Sequence, residues 1–259
     1  MSWRTVVLPR EHGGWGLIAE PALLGLLVAP SWAGVALGLA GLLAFLARQP
    51  LRLYLVDRTR SRSLPRTALA AEVAFVELTL VALLGVVAWT RAGPAWLAAV
   101  GVAAPLIAVQ LWFDARSRSR RLAPELAGGL AAGAFAAAVA LAGGAGAALA
   151  AGLWLVLAGR SIAAIPFVRV QIARWRGGSP GANGSDPARA GAIAGVAVAL
   201  VAVALDVRLA LGAAVVLAAV GLHWWWSRRP PSPAKVVGLR QLALGMALVA
   251  TTAVGVQLL

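Results

Sequence analysis

Apolar stretches of similar length, separated by short polar or Pro/Gly-rich punctuation, follow one another along the whole chain. Nine can be delimited, near 14–30, 33–48, 67–90, 94–113, 123–143, 146–167, 189–206, 209–226 and 238–258. A helix needs about 20 residues to cross a hydrocarbon core, so each stretch reads as a membrane span. The first two are short and share a tight turn at Pro30-Ser31, while the fifth and sixth are Ala/Gly-rich and joined by Gly143-Gly144-Ala145-Gly146. The first stretch follows an Arg-containing start and has no small-residue cleavage site, so it is expected to remain as the first span. The pattern predicts an all-α polytopic membrane bundle of nine helices in a single integral domain, residues 1–259.

The punctuation orients that bundle. Basic residues fall in every second gap. With the N-terminus inside and the C-terminus outside, all of the 23 Lys and Arg except Arg91 and Arg208 face inward. The inverted threading leaves only those two inside, and an eight-span count breaks the alternation. The positive-inside rule therefore selects the first arrangement and predicts a multi-pass protein of the cytoplasmic (inner) membrane.

Composition agrees with this, since 61% of the residues are hydrophobic and 12% charged, far from the balance of soluble domains. A net charge of +14 in a soluble chain would raise the question of nucleic acid. Here the charges sit in short loops between spans, so the expected partners are membrane lipids and not nucleic acid. The chain has no cysteine, which excludes disulfides and thiolate chemistry. His12 and His223 are too few and too scattered for a metal site, so no metal and no cofactor are expected.

Small-residue spacings, Gly34-x-x-x-Gly38, Gly129-x-x-x-Gly133 and Gly191-x-x-x-Gly195, predict close helix packing. Trp3, Trp15, Trp32, Trp89, Trp96, Trp112, Trp175 and Trp224 to Trp226 lie near span ends and read as interfacial belts.

Ionisable side chains within spans cost about 2.5–3.5 kcal/mol each even on the lenient scale, so they are the candidates for function. They are Glu20 in the first span, Glu72 and Glu77 in the third, and Arg160 in the sixth, with Asp114 at the inner end of the fourth. All fall in the inner half, which describes a polar cavity open to the cytoplasm. Arg160 is too deep to snorkel and needs a carboxylate or an anionic ligand; a structural ion pair with a span glutamate is the competing reading. Glu72 and Glu77 are five residues apart, about 140° around a helix, and so do not form one paired-carboxylate site. His12 lies in Leu8-Pro9-Arg10-Glu11-His12-Gly13-Gly14-Trp15, beside a carboxylate with which it could shuttle protons.

Two inner stretches echo each other. One runs Arg48-Gln49-Pro50-Leu51-Arg52-Leu53-Tyr54 and on to Asp57-Arg58; the other runs Ala164-Ile165-Pro166-Phe167-Val168-Arg169-Val170-Gln171 and on to Arg174. Four spans separate them, as in a duplicated four-helix unit. A Pro there frees a backbone carbonyl beside a lined cavity, and an Arg offers a planar clamp for phosphate or carboxylate.

The opening Pro9-Arg-Glu-His-Gly-Gly-Trp15 resembles the signature of the YwiC-like membrane proteins, with Gly14 where Ala is usual. Arg48-Gln-Pro-Leu51, Arg160-Ser-Ile with Val168-Arg169, and Lys235-Val-Val-Gly238-Leu-Arg-Gln241 resemble later blocks of that family. In layout the chain is more distantly similar to UbiA-type intramembrane prenyltransferases, with their key loops after spans two and six. Trp112-Phe-Asp-Ala-Arg116 to Gly129, then Gly133, is similar to the basic turn that enters their Gly-rich fifth helix. That resemblance implies a UbiA-like arrangement and a prenyl diphosphate held through magnesium on Asp-rich loops. This chain departs there: the first loop has only Asp57, the second has no acid before Asp186, and two magnesium ions need several carboxylates.

Three functions follow. The first is a lipid-modifying or divergent prenyltransferase-like enzyme acting on an isoprenoid or other anionic amphiphile. In it Arg52, Arg160 and Arg169 hold the head, and Glu20 or Glu77 serves as base. Gln49, Tyr54, Asp57, Glu72 and Asp114 are further candidates to line the substrate site. The second is a lipid or organic-anion transporter or flippase using the same cavity without chemistry. The third is a membrane assembly factor whose buried charges are only ion pairs.

Overall fold

The computed structural model describes residues 14–62, 64–178 and 186–258. Among the described residues nine α-helices form and no strand. They are α1 (Gly14–Val28), α2 (Trp32–Thr59), α3 (Pro65–Ala92), α4 (Leu97–Ala115), α5 (Leu122–Ala142), α6 (Ala147–Trp175), α7 (Pro187–Leu205), α8 (Ala210–Ser227) and α9 (Ala234–Leu258). A 3-10 turn, Val207–Leu209, leads into α8. Eight helices, α2 to α9, are long and apolar enough to cross a bilayer, α8 being counted from the 3-10 turn. The described part of α1 is 15 residues, below the length of a full span. The protein is thus a multi-pass membrane protein.

The helices outrun the apolar stretches that predict them. α2 continues to Thr59 and α6 to Trp175, where hydropathy ends them near 48 and 167, and α9 begins at Ala234, not 238. Hydropathy reads the thickness of the hydrocarbon, whereas backbone hydrogen bonding continues as long as Arg, Gln and Leu keep good helix propensity. The echoing Pro50 and Pro166 are therefore internal to helices, each nine residues before its helix ends. Gln49, Arg52, Tyr54, Asp57 and Arg169 stand on helical extensions and not in loops.

The chain forms two compact units, Met1–Ala145 and Gly146–Leu259. In the first, α2 packs most extensively on α3, α4 on α5, and α1 on α5. Ser31 caps α2, its hydroxyl accepting from the Gly34 N–H at 2.9 Å and donating to the Ala142 carbonyl at 3.4 Å. Gly25 on α1 sits so close to α5 that a Cβ there would lie 2.6 Å from the Val139 Cβ. Gly34 touches Leu26 and Val139 more loosely, and Gly129 and Gly133 are both buried.

In the second unit α6 packs along α7, and α8 and α9 pair beside them. Here the predicted small-residue seam is tightest. Gly195 lies against the Gly159 carbonyl, and a Cβ on Gly191 would fall 2.6 Å from the Ile162 carbonyl. That carbonyl is the one Pro166 leaves without its helical N–H, so glycine on α7 makes room where the proline opens α6. Asp206 starts the 3-10 turn by accepting from the Arg208 N–H.

Exposed indoles at Trp32, Trp89, Trp112, Trp175, Trp224 and Trp225 fit the interfacial belts. Trp96 does not. It is buried near Gly85, at the start of α4, because the turn before α4 folds its ring back over α3.

Candidate functional site

In the first unit the basic end is held by carboxylate–arginine pairs. Asp57, fully buried at the end of α2, accepts from Arg66 Nε at 3.1 Å, Arg66 Nη2 at 2.9 Å and Thr67 Oγ1 at 2.8 Å. Thr67 also accepts the Leu64 N–H, so one cluster closes the α2–α3 turn and starts α3. Asp114, on the last turn of α4, is fully buried and accepts from Arg48 Nε at 3.0 Å and Nη2 at 3.3 Å. Thr59 Oγ1 donates to the Ala115 carbonyl and Arg60 Nη2 to Ser117 Oγ, tying the end of α2 to the end of α4.

The other expected site residues of this unit are placed as follows. Tyr54 accepts from Arg58 Nε at 3.2 Å. Gln49 and Arg52 are half-buried, with no hydrogen bond or ion pair among the described residues. Glu72 is exposed, whereas Glu77 is buried on the α2-facing stripe with Thr67, Ala70 and Ala74, and its Oε2 has no hydrogen-bond partner. The two glutamates thus point to different sides of α3, as their spacing predicts. Glu20 is buried on α1. His12 lies outside the described residues.

The second unit gathers a different set. Arg160 is buried on α6 and donates from Nη2 to the Gln241 carbonyl of α9 at 2.6 Å. The Gln241 side-chain Nε2 lies 2.9 Å from His223 Nε2 on α8. His223 stacks on Phe167 of α6, with ring centroids 4.1 Å apart and planes at 10°. Trp226 leans on both rings at 6.3 and 6.1 Å. Arg240 covers the Trp226 face at 4.8 Å and donates to Ser232 Oγ.

Between these groups lies a small cleft lined by Phe167, Gln171, Trp226, Ser232, Arg240 and Gln241, with room for about one water molecule. Three buried polar atoms of this cluster have no hydrogen-bond partner: Gln171 Nε2, His223 Nδ1 and Gln241 Oε1. With the Gln241 amide donating, His223 accepts through Nε2 and carries its proton on Nδ1. The cluster then presents two unused donors and one unused acceptor beside a guanidinium.

Local sequence explains the convergence. Phe167, Gln171 and Arg174 are spaced i, i+4, i+7 on one stripe of α6, and His223 and Trp226 are spaced i, i+3 on α8. Arg174 locks the two stripes, donating from Nη1 to the Ser227 carbonyl at 2.7 Å. Arg169 is half-buried two residues before Gln171. Residues 146–259 carry ten Lys and Arg but only Asp186 and Asp206 as acids. Asp186 caps α7 through the Ala188 and Arg189 N–H groups, and Asp206 pairs with Arg208 at 2.6 Å.

Sequence reasoning singled out Arg160 and Arg169 but missed Phe167, Gln171, His223, Trp226, Arg240 and Gln241 as one site. The α6 stripe, continued past Pro166, was the signal available.

Among the described residues no three His, Asp or Glu side chains come together as a metal would require. The donors that are present suit an anion or a carbonyl oxygen.

Residues 8–140, just over half of the chain, match the family model described as YwiC-like protein. The match covers nearly all of the first unit and stops before the second. No curated protein and no solved structure matches the chain.

Proposed function

The chain therefore belongs to the YwiC-like family, and we propose that it binds the anionic head of an amphiphile at the mouth of the small cleft between α6, α8 and α9. The observation that carries this reading is the unused buried N–H of the Gln171 carboxamide in a cleft that Arg240 also lines. A buried donor without a partner costs about 1–3 kcal/mol, and a bound phosphate or carboxylate would recover that at the Gln171 N–H. Arg240 would supply the charge from over the Trp226 ring, Gln171 would donate to the head, and His223 behind them would hold the Gln241 carboxamide. Arg169 adds positive charge to the same end of α6.

The tail has a path as well. Leu239, Leu242 and Met246 are exposed on α9 next to Arg240 and Gln241, an apolar track for a prenyl or acyl chain. The groups at the cleft bind and orient: a guanidinium, two carboxamides and, behind them, an imidazole. This is the equipment of a carrier or a binding protein for a lipid-like anion, working without a metal. The one-sided distribution of Lys and Arg supports placing this mouth on the cytoplasmic side of the inner membrane, with the N-terminus inside.

Mass spectrometry of lipids that copurify with the full-length protein tests the reading. The expected result is an anionic amphiphile whose occupancy falls about 10- to 100-fold in Arg240→Gln and Gln171→Leu, the loss that one charged hydrogen bond implies. A protein that carries no such molecule, or whose load is unchanged in both variants, overturns it.

A further inference from the structure

A second basic–aromatic arrangement lies outside the cleft and recurs in both units. At the end of α4 the Arg116 guanidinium lies 3.9 Å from the Trp112 ring centroid. At the end of α8 Arg228 lies 3.6 Å over Trp224, and Arg229 lies 4.5 Å over Trp225. Each pair is spaced i, i+4 across the last helical turn. The indoles are 49%, 58% and 47% exposed, respectively, so their other faces are open.

Three features separate these pairs from ordinary topogenic charge. A guanidinium held over a ring face is restrained by that contact, while its N–H donors stay available at its edge. The Arg228 and Arg229 side chains make no hydrogen bond among the described residues, and the Arg116 side chain makes one long contact, 3.4 Å to the Trp112 carbonyl. The backbone behind the α8 pairs is also pinned, because Arg174 donates to the Ser227 and Arg229 carbonyls. Tryptophan seeks headgroup depth in a bilayer, which brings the restrained donors level with lipid phosphates.

We infer that the Trp224–Arg228 and Trp225–Arg229 pairs form a clamp for the phosphate of anionic phospholipids, with Trp112–Arg116 as its counterpart in the first unit. The occupant is the leaflet itself. Exposed Arg176 and Lys235 make the same end more positive, so an anionic headgroup is preferred over a zwitterionic one. The clamp uses none of the cleft's residues and stands whether or not the cleft holds an amphiphile.

Spin-labelled phosphatidylglycerol and phosphatidylcholine, compared by electron paramagnetic resonance on the full-length protein in vesicles, measure the preference. Wild type is expected to select phosphatidylglycerol, and Arg228→Gln with Arg229→Gln should cut that selectivity about fivefold per arginine. Trp224→Leu with Trp225→Leu should lower it too, although every charge is kept, because the guanidiniums lose the rings that restrain them. Arg91→Gln, an exposed basic residue outside both the cleft and the Trp–Arg pairs, should leave it unchanged. Selectivity that survives the arginine changes overturns the clamp, as does selectivity lost with the arginines but kept without the indoles, which would be diffuse attraction alone.

Discussion

Single carboxylates in this chain are taken up by their neighbours: Asp57 by Arg66 and Thr67, Asp114 by Arg48, and Asp206 by Arg208. Asp206 lies in the connection between α7 and α8, where its protonation can be followed. The hydrogen-bonded Arg208 guanidinium holds its carboxyl below the usual carboxylate range, against a smaller opposing effect of burial. The folded state then binds fewer protons than the unfolded chain in acid. The pair's stabilisation is complete above the ordinary carboxylate value and is lost as pH falls through the lowered one. Thermal unfolding in detergent should show wild type more stable than Asp206→Asn at about pH 6, with the gap closing toward about pH 3. A constant gap would contradict the linkage. The candidate residues were legible at this scale only where a charge interrupted an apolar run, as Arg160 and Glu77 do. Gln171, His223 and Gln241 are neutral in ordinary surroundings and gain meaning only when three helices converge. Asp57 and Asp114 look like ligand-binding acids in sequence, yet both are surrounded by basic donors.

At the level of helices, the seam between α6 and α7 depends on missing side chains. Gly195 meets the Gly159 carbonyl and Ala163, so even one methyl forces the helices apart. Gly195→Ala is expected to lower stability by about 1–3 kcal/mol, the usual cost of overpacking, and Gly195→Val to cost more. Gly238 on α9 has open space around its Cβ position, and Gly238→Ala should leave the thermal midpoint unchanged or slightly higher. Equal effects at the two glycines would refute the packing argument. All nine helices were legible as apolar runs, and eight of them are long enough among the described residues to cross a bilayer, because lipid demands such runs. Their ends were not, since α2, α6 and α9 run on with residues that water accepts and a helix tolerates. Trp96 likewise was read from its position near a span end, whereas the turn before α4 decides its burial.

For the molecule as a whole, the two units share a plan. Each has a long helix with a proline nine residues from its end, tied there to the C-terminus of a later helix that carries stacked Trp and Arg. The absence of cysteine makes orientation directly measurable. Ser117→Cys and Ser232→Cys should react with a membrane-impermeant maleimide only from the cytoplasmic side, and Gly146→Cys only from the opposite side. Any reversal would reject the inside N-terminus. The proline positions also set a length. About nine residues beyond each proline make a rigid arm of roughly 13 Å. A change of about 10° in the proline bend would swing the arm's tip by about 2 Å, close to the radius of a water molecule plus its clearance. In α6 that tip carries Arg174 and, through its hold on α8, sits beside the wall of the cleft. A bend of that size at Pro166 would carry Arg174, and through it the end of α8, by a distance comparable to the width of the small cleft beside them.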